Sequence, residues 1–234
     1  MIIYGKNVVL ETISKRPDLV KKVFVRSDAQ KDYVTAVKPF KPEIIEKDRF
    51  DVLIKDRKHQ GIAADIHEIK LHQLSYLSEK RHDNAVYILL DGLQDPHNLG
   101  SIIRTAYGMG IDGIILAHDR TCPVTPGVFT ASAGYASVVP IIGIKNPANT
   151  LKEMKKMGYW IAVVDMNGTV TLGEKKDAVP KPVICVLGGE GAGVREIYTK
   201  HADLTLTIPQ IPDFESYNVS VAAAITMWEL RSSR

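Results

Sequence analysis

Cysteine is nearly absent. Cys122 and Cys185 are the only two among 234 residues, and neither lies in a CxxC or similar ligand spacing. That excludes a disulfide-stapled scaffold and points to a reducing, cytoplasmic setting. Long apolar runs are missing too, so no membrane-spanning helix is expected. The opening "MIIYGKNVVLETISK" lacks the basic-then-apolar-then-small pattern of a secretory leader. No group of His, Cys, Asp and Glu has metal-ligand spacing, so no metal is expected. Internal repeats and low-complexity tracts are also absent.

What is present fits a globular chain, with 45% apolar and 24% charged residues. The length suits one large domain, or a small one joined to a medium one. The net charge of +3 is unevenly placed: residues 1–70 hold 15 Lys and Arg against 11 Asp and Glu, and the remainder 15 against 16. Such a basic N-terminal end suits either a polyanionic partner or an ordinary solvated surface.

Residues 1–66 alternate between helical and strand patterns. "NVVLETISK", "QKDYVTAVKPF" and "DRFDVLI" read as helices, and "KKVFVRS", "PEIIEK" and "GIAADIH" as strands. The polar "EIKLHQLSYLSEKRHDN" follows and reads as a linker ending near Asn84. From Val86, apolar strands "VYILLD", "GIILA", "VVPIIGI", "YWIAVVDM", "PVICVLG" and "LTLTIP" alternate with helical stretches and end in "NVSVAAAITMWELRSS". Near-continuous apolar strands between helices predict a parallel sheet covered on both faces.

In open α/β sheets, ligands collect where strands end and helices begin. Three loops are therefore of interest. In "DGLQDPHNLGSIIRTA", Asn98 is a candidate helix cap, and Gly100 lets another backbone or a ligand approach. Arg104 lies about 9 Å further along the helix, inside an apolar run. There it either pairs with a carboxylate or faces an anion such as phosphate. In "VLGGEGAGVRE", the glycines at 188, 189, 191 and 193 suit a nucleotide-type ligand. The spacing nevertheless fits neither GxGxxG nor GxxxxGK[ST]. Glu190 adds a carboxylate able to point into a cleft. In "LTIPQIPDFESYNVSVAAAI", Pro209 and Pro212 stiffen the loop, and Ser216 and Asn218 precede a small-residue helix that one of them is expected to cap.

In this order, the loops resemble the SpoU family of RNA ribose 2′-O-methyltransferases, within the SPOUT superfamily. Asn98, Gly100 and Arg104 carry the first motif; Gly188, Glu190, Gly191 and Gly193 carry the second. Pro209, Ser216, Asn218 and "VSVA" at 219–222 carry the third, and "ASAGYASVVP" is similar to the family's connecting segment. "YGKNVVLETI", "KKVFVRS", "RFDVLI" and "HQGIAA" resemble a small RNA-binding domain, like one in ribosomal RNA-binding proteins, that precedes the catalytic domain in many members. The third motif departs at Gln210, Pro212 and Tyr217, where the family usually has Met, Gly and Leu.

The resemblance implies an α/β enzyme with an RNA substrate-binding domain at 1–68, a linker at 69–84 and a methyltransferase domain at 85–234. It also implies a C-terminal trefoil knot, which general chain-path rules argue against. The implied reaction is S-adenosylmethionine-dependent methylation of a ribose 2′-oxygen, with a guanosine of 23S rRNA as the expected target. The alternatives are a tRNA guanosine 2′-O-methyltransferase and a non-catalytic RNA-binding protein on the same fold. Leu187, Gly188, Gly189, Gly191, Ile208, Ile211, Tyr217 and Ala222 are the implied cofactor contacts. Arg104, Asn98, Glu190, Ser216 and Asn218 are the implied catalytic set, and a homodimer with its site near the interface is implied. Lys55, Arg57 and Lys58 either contact RNA or form an ordinary solvated helix end.

Overall fold

The structure is a computed structural model that describes residues 1–29, 31–55, 59–117, 120–174, 179–189 and 193–232. The chain forms two compact units, residues 1–70 with 124–138, and residues 71–123 with 139–234.

The first unit runs β1 (Ile2–Tyr4), α1 (Lys6–Lys15), β2 (Val20–Arg26), α2 (Lys31–Val37), β3 (Glu43–Ile45), α3 (Lys47–Leu53) and β4 (Ile62–Ile66). Its sheet has the order β1-β4-β2-β3; β4 is antiparallel to β1 and β2, and β3 is parallel to β2. α1 buries Val8, Val9, Thr12 and Ile13, a spacing that gathers them on one helical face. The three-residue β1 was not legible in the sequence, because a strand that short has no period.

The second unit begins with α4 (Ser75–Glu79), β5 (Val86–Asp91), α5 (Pro96–Met109) and β6 (Gly113–Ala117). After α6 (Pro126–Ala131), which belongs to the first unit, it resumes with β7 (Ile141–Ile144), α7 (Pro147–Lys156), β8 (Trp160–Val164), β9 (Val170–Thr171), β10 (Val183–Gly188), α8 (Glu196–Thr199), β11 (Leu204–Thr207) and α9 (Val219–Ser232). The seven strands are all parallel, in the order β7-β6-β5-β10-β8-β11-β9. β10 thus inserts between β5 and β8, pairing with β5 from Val183↔Val86 to Gly188↔Asp91. Every residue of β5 is buried, because helices cover both faces of a parallel sheet. Each of Ile88, Leu89 and Leu90 contributes about 1.5–3 kcal/mol by leaving water.

Residues 71–84 are not a free linker. Leu77 is fully buried in the second unit's core, the Tyr159 hydroxyl donates to its carbonyl at 2.8 Å, and the His72 amide donates to the Ile141 carbonyl at 2.8 Å. A five-residue helix among charged residues shows too little periodicity to be read from sequence. α8 is likewise only four residues long.

Candidate active site

The C-terminal ends of β8, β10 and β11 open onto a cavity of about 640 Å³. Leu187, Gly188 and Gly189 form one wall, with Gly193 and Val194 from the returning limb of the same loop. Thr207 and Ile208 continue from β11, and residues 215–219 with Ala222 close the far side. Val164, Asp165, Met166 and Asn167, after β8, complete it. Among the described residues lining it, the charged ones are Asp165 and Glu215, so the cavity favours a cation. Its size is that of a small-molecule site. At Gly193, where φ is 62°, the space a Cβ would take is open.

Six expected cofactor contacts therefore line one cavity: Leu187, Gly188, Gly189, Ile208, Tyr217 and Ala222. Ile211 does not; it is 74% exposed, between the exposed prolines 209 and 212. Gly191 and Glu190 lie outside the described residues, as do Arg57 and Lys58. Lys55 is exposed near the end of α3.

The third loop is closed on itself. The Tyr217 hydroxyl donates to the Pro209 carbonyl at 3.2 Å, and Gln210 Nε2 donates to the Phe214 carbonyl at 3.2 Å. Two of the family departures, Gln210 and Tyr217, thus tie the loop together. Asn218 caps α9: its Oδ1 accepts from the Ser220 amide at 2.9 Å and the Ser220 hydroxyl at 2.6 Å. Ser216 lines the cavity and is exposed.

The first loop differs from the expectation. Asp95, not Asn98, caps α5, accepting from the His97 amide at 2.9 Å. Pro96 takes the first helical position, where a missing amide hydrogen costs nothing. Asn98 is then inside the first turn and 8% exposed. Arg104 is exposed on α5 and outside the cavity lining, and no carboxylate among the described residues pairs with it.

Two features were missed in the sequence. One is the loop after β8, whose Asp165 Oδ1 accepts from the Asn167 amide at 2.8 Å. The rule that ligands gather at strand ends applies to "VVDMNG" as much as to the other loops. The other is an ion pair. Asp91, at the end of β5, is 3% exposed and accepts from Arg195 Nε and, at 2.9 Å, from Arg195 Nη2. Arg120 Nε approaches Asp91 at 3.9 Å. The hydrogen bond to Asp91 raises the pKa of Arg195, and burial pushes the Tyr198 hydroxyl beside it up to about 12. Separation by over 100 residues hides such a pair from sequence inspection. Among the described residues no cluster of three His, Cys, Asp or Glu is placed to hold a metal ion.

The second unit is an all-parallel α/β domain with a small-molecule cavity built by loops at the ends of three strands, the class of a ligand-binding or group-transfer enzyme. The SpoU rRNA Methylase family model matches residues 85–228, and the RNA 2′-O ribose methyltransferase substrate binding model matches residues 2–72. The chain belongs to the SpoU rRNA methylase family. It is 32% identical over 239 residues to the 23S rRNA (guanosine-2′-O-)-methyltransferase RlmB of Neisseria meningitidis serogroup B, covering 99% of this chain and 95% of that protein. A putative RNA methyltransferase of the TrmH family from Porphyromonas gingivalis superposes with a TM-score of 0.80 at 26% identity, over 100% of this chain and 90% of that one. The SpoU methyltransferase AviRb from Streptomyces viridochromogenes, solved in complex with the cofactor AdoMet, shares the fold with a TM-score of 0.84 at 17% identity, over 99% and 89% of the two chains.

Proposed function

We propose that this chain methylates the 2′-oxygen of a guanosine ribose in 23S rRNA, with S-adenosylmethionine as methyl donor. The observation that carries the reading is the cavity, which joins the second and third motif loops and whose described charged lining is wholly acidic. Full-length similarity to RlmB supports the choice of large-subunit rRNA.

The residues present fit the donor. Leu187, Ile208, Val219 and Ala222 offer apolar walls, Gly188, Gly189 and Gly193 offer bare backbone, and Asp165 and Glu215 suit cationic groups. When bound, S-adenosylmethionine supplies a methyl group on a sulfonium, an electrophile for the ribose oxygen. Ser216 and Asn218, at the start of α9, orient the ribose. Arg104, on the exposed side of α5, faces the target phosphate and stabilises the developing alkoxide. Its guanidinium stays protonated at neutral pH, so its role is electrostatic. Glu190 holds Arg104 or takes the proton, and Asn98 shapes the turn from which α5 starts.

The same reading includes a trefoil knot, a homodimer and action in the cytoplasm. The insertion of the later strand β10 between β5 and β8, and the packing of α9 on α5, support the threading. Exposed Val221 and Trp228 on α9, at 46% and 65%, support a second copy as the cover of that face. The four-stranded first unit suits a ribosomal-protein-like RNA-binding role, with Lys55, Arg57 and Lys58 as RNA contacts.

The test is methyl transfer from labelled S-adenosylmethionine to total RNA separated by size, with Arg104→Ala alongside. Label in 23S rRNA that the variant loses is the expected result. Label in tRNA instead would replace the substrate; cofactor binding without transfer to free RNA would point to a substrate present only in an assembly intermediate, and neither transfer nor cofactor binding would leave the non-catalytic alternative.

A further inference from the structure

We propose that Arg195 is a positioning residue for methyl transfer, locking the returning limb of the glycine loop after β10 onto Asp91 at the end of β5. The inference rests on the function proposed above.

The glycine loop has two limbs. Its outgoing limb, Leu187 to Gly189, is fixed by the pairing of β10 with β5, down to Gly188 opposite Asp91. It also lies against the first loop, since a Cβ on Gly189 would overlap the Gly92 carbonyl. The returning limb, Gly193 and Val194, also lines the cavity but belongs to no strand of the sheet. One antiparallel bridge joins Gly193 to Gly189. Arg195 follows directly, and its guanidinium reaches back to both oxygens of Asp91.

That geometry is a two-point clamp. A planar guanidinium holding both carboxylate oxygens fixes orientation as well as distance, which an ammonium cannot do. The clamp is itself supported, because Arg195 Nη2 lies 3.4 Å from the Tyr198 hydroxyl and the guanidinium lies over that ring. Asp91 is nearly inaccessible, so its carboxylate has little water to exchange for this partner. Gly92 and Leu93 lead from Asp91 toward α5, which carries Asn98 and Arg104. The ion pair therefore ties the returning limb of the cavity loop to the strand end that leads into the helix facing the RNA. Arg195 does not line the cavity, so its effect on the reaction passes through the limb it holds.

Two variants test this, and a third, Arg195→Ala, tests rescue. Arg195→Lys keeps the charge and loses the second bond. Asp91→Asn with Arg195→Gln replaces both charges with amides and leaves no buried ion unpaired. Single-turnover and steady-state methyl transfer to a 23S rRNA transcript would be measured with thermal melting in parallel. The expected result is a fall in kcat of about tenfold or more in both variants, with the KM for RNA within about threefold of wild type, because small misplacements of reacting groups are costly. In Arg195→Ala, added guanidinium ion at low millimolar concentration is expected to restore part of the rate. A lowered melting temperature with kcat within about twofold of wild type in both variants would overturn the proposal and leave a purely structural pair. Absence of transfer by the wild-type enzyme would overturn the proposed function itself, and this inference with it.

Discussion

Tyr217 donates its hydroxyl to the carbonyl of Pro209 at 3.2 Å, and its ring lies 4.9 Å from that of Phe214. The bond spans the loop between β11 and α9. A Tyr at this position therefore supplies a side-chain tie where the family's usual Leu supplies none. Tyr217→Phe is expected to lower the melting temperature by no more than about 2–5 °C. A hydrogen bond of this kind contributes about 0.5–1.5 kcal/mol net, so S-adenosylmethionine affinity should fall roughly two- to tenfold. Isothermal titration of the two proteins checks it, and equal affinities would remove the tie from the cofactor site.

Glycines 189 and 108 should respond in opposite directions to alanine. Gly189 faces the Gly92 backbone, which has no flexible end to move aside, so Gly189→Ala should abolish cofactor binding and lower the melting temperature. Gly108 is exposed on α5 with open space around it, and Gly108→Ala should stabilise by up to about 1 kcal/mol through helix propensity. Urea unfolding distinguishes the two.

Arg104→Ala should separate function from stability. The side chain is exposed, so unfolding should shift by no more than about 0.5 kcal/mol. Methyl transfer should nevertheless fall by about a hundredfold or more, as when one preorganised electrostatic partner is removed. Asn218→Ala should differ by costing about 1 kcal/mol of stability with the lost cap.

Leu77→Ala tests whether residues 71–84 belong to the second unit. Leu77 is fully buried, and truncating such a residue costs about 2–5 kcal/mol. A free linker would show no change in denaturant midpoint.

Alkali should unfold the protein by way of its buried tyrosines. Burial raises the pKa of Tyr87 and Tyr159, and that of Tyr198 to about 12 from an ordinary 10.0. The folded chain therefore holds protons that the unfolded chain has released. Stability from these groups is complete below about pH 10 and is lost as the pH rises toward 12. Absorbance at 295 nm should show part of the nine tyrosines ionising only with the unfolding step.

Much of the second unit was legible because its strands are apolar on both faces: "VYILLD" and "PVICVLG" could hardly be anything but central strands. Residue type alone narrowed the cap of α9 to Ser216 or Asn218, and Asn218 takes it. What escaped was decided by neighbours in space. Asp95 took the cap expected of Asn98 because Pro96 fixes where α5 starts. Asp91 and Arg195 meet only through strand pairing, and Asp165 reaches the cavity only because β8 lies beside β10 and β11.

The discontinuity of the first unit has a consequence for synthesis. α6 packs on β1, the Arg16 guanidinium donates to the Ser137 carbonyl at 3.0 Å, and Gly134 lies so close to Val8 that no side chain fits between them. Residues 1–70 alone therefore lack part of their own unit. On the ribosome, this N-terminal unit cannot close until Val138 has left the exit tunnel, after β5 and β6 are already exposed. A fragment cut at residue 70 would leave β1 without α6, and one that also supplies 124–138 would not.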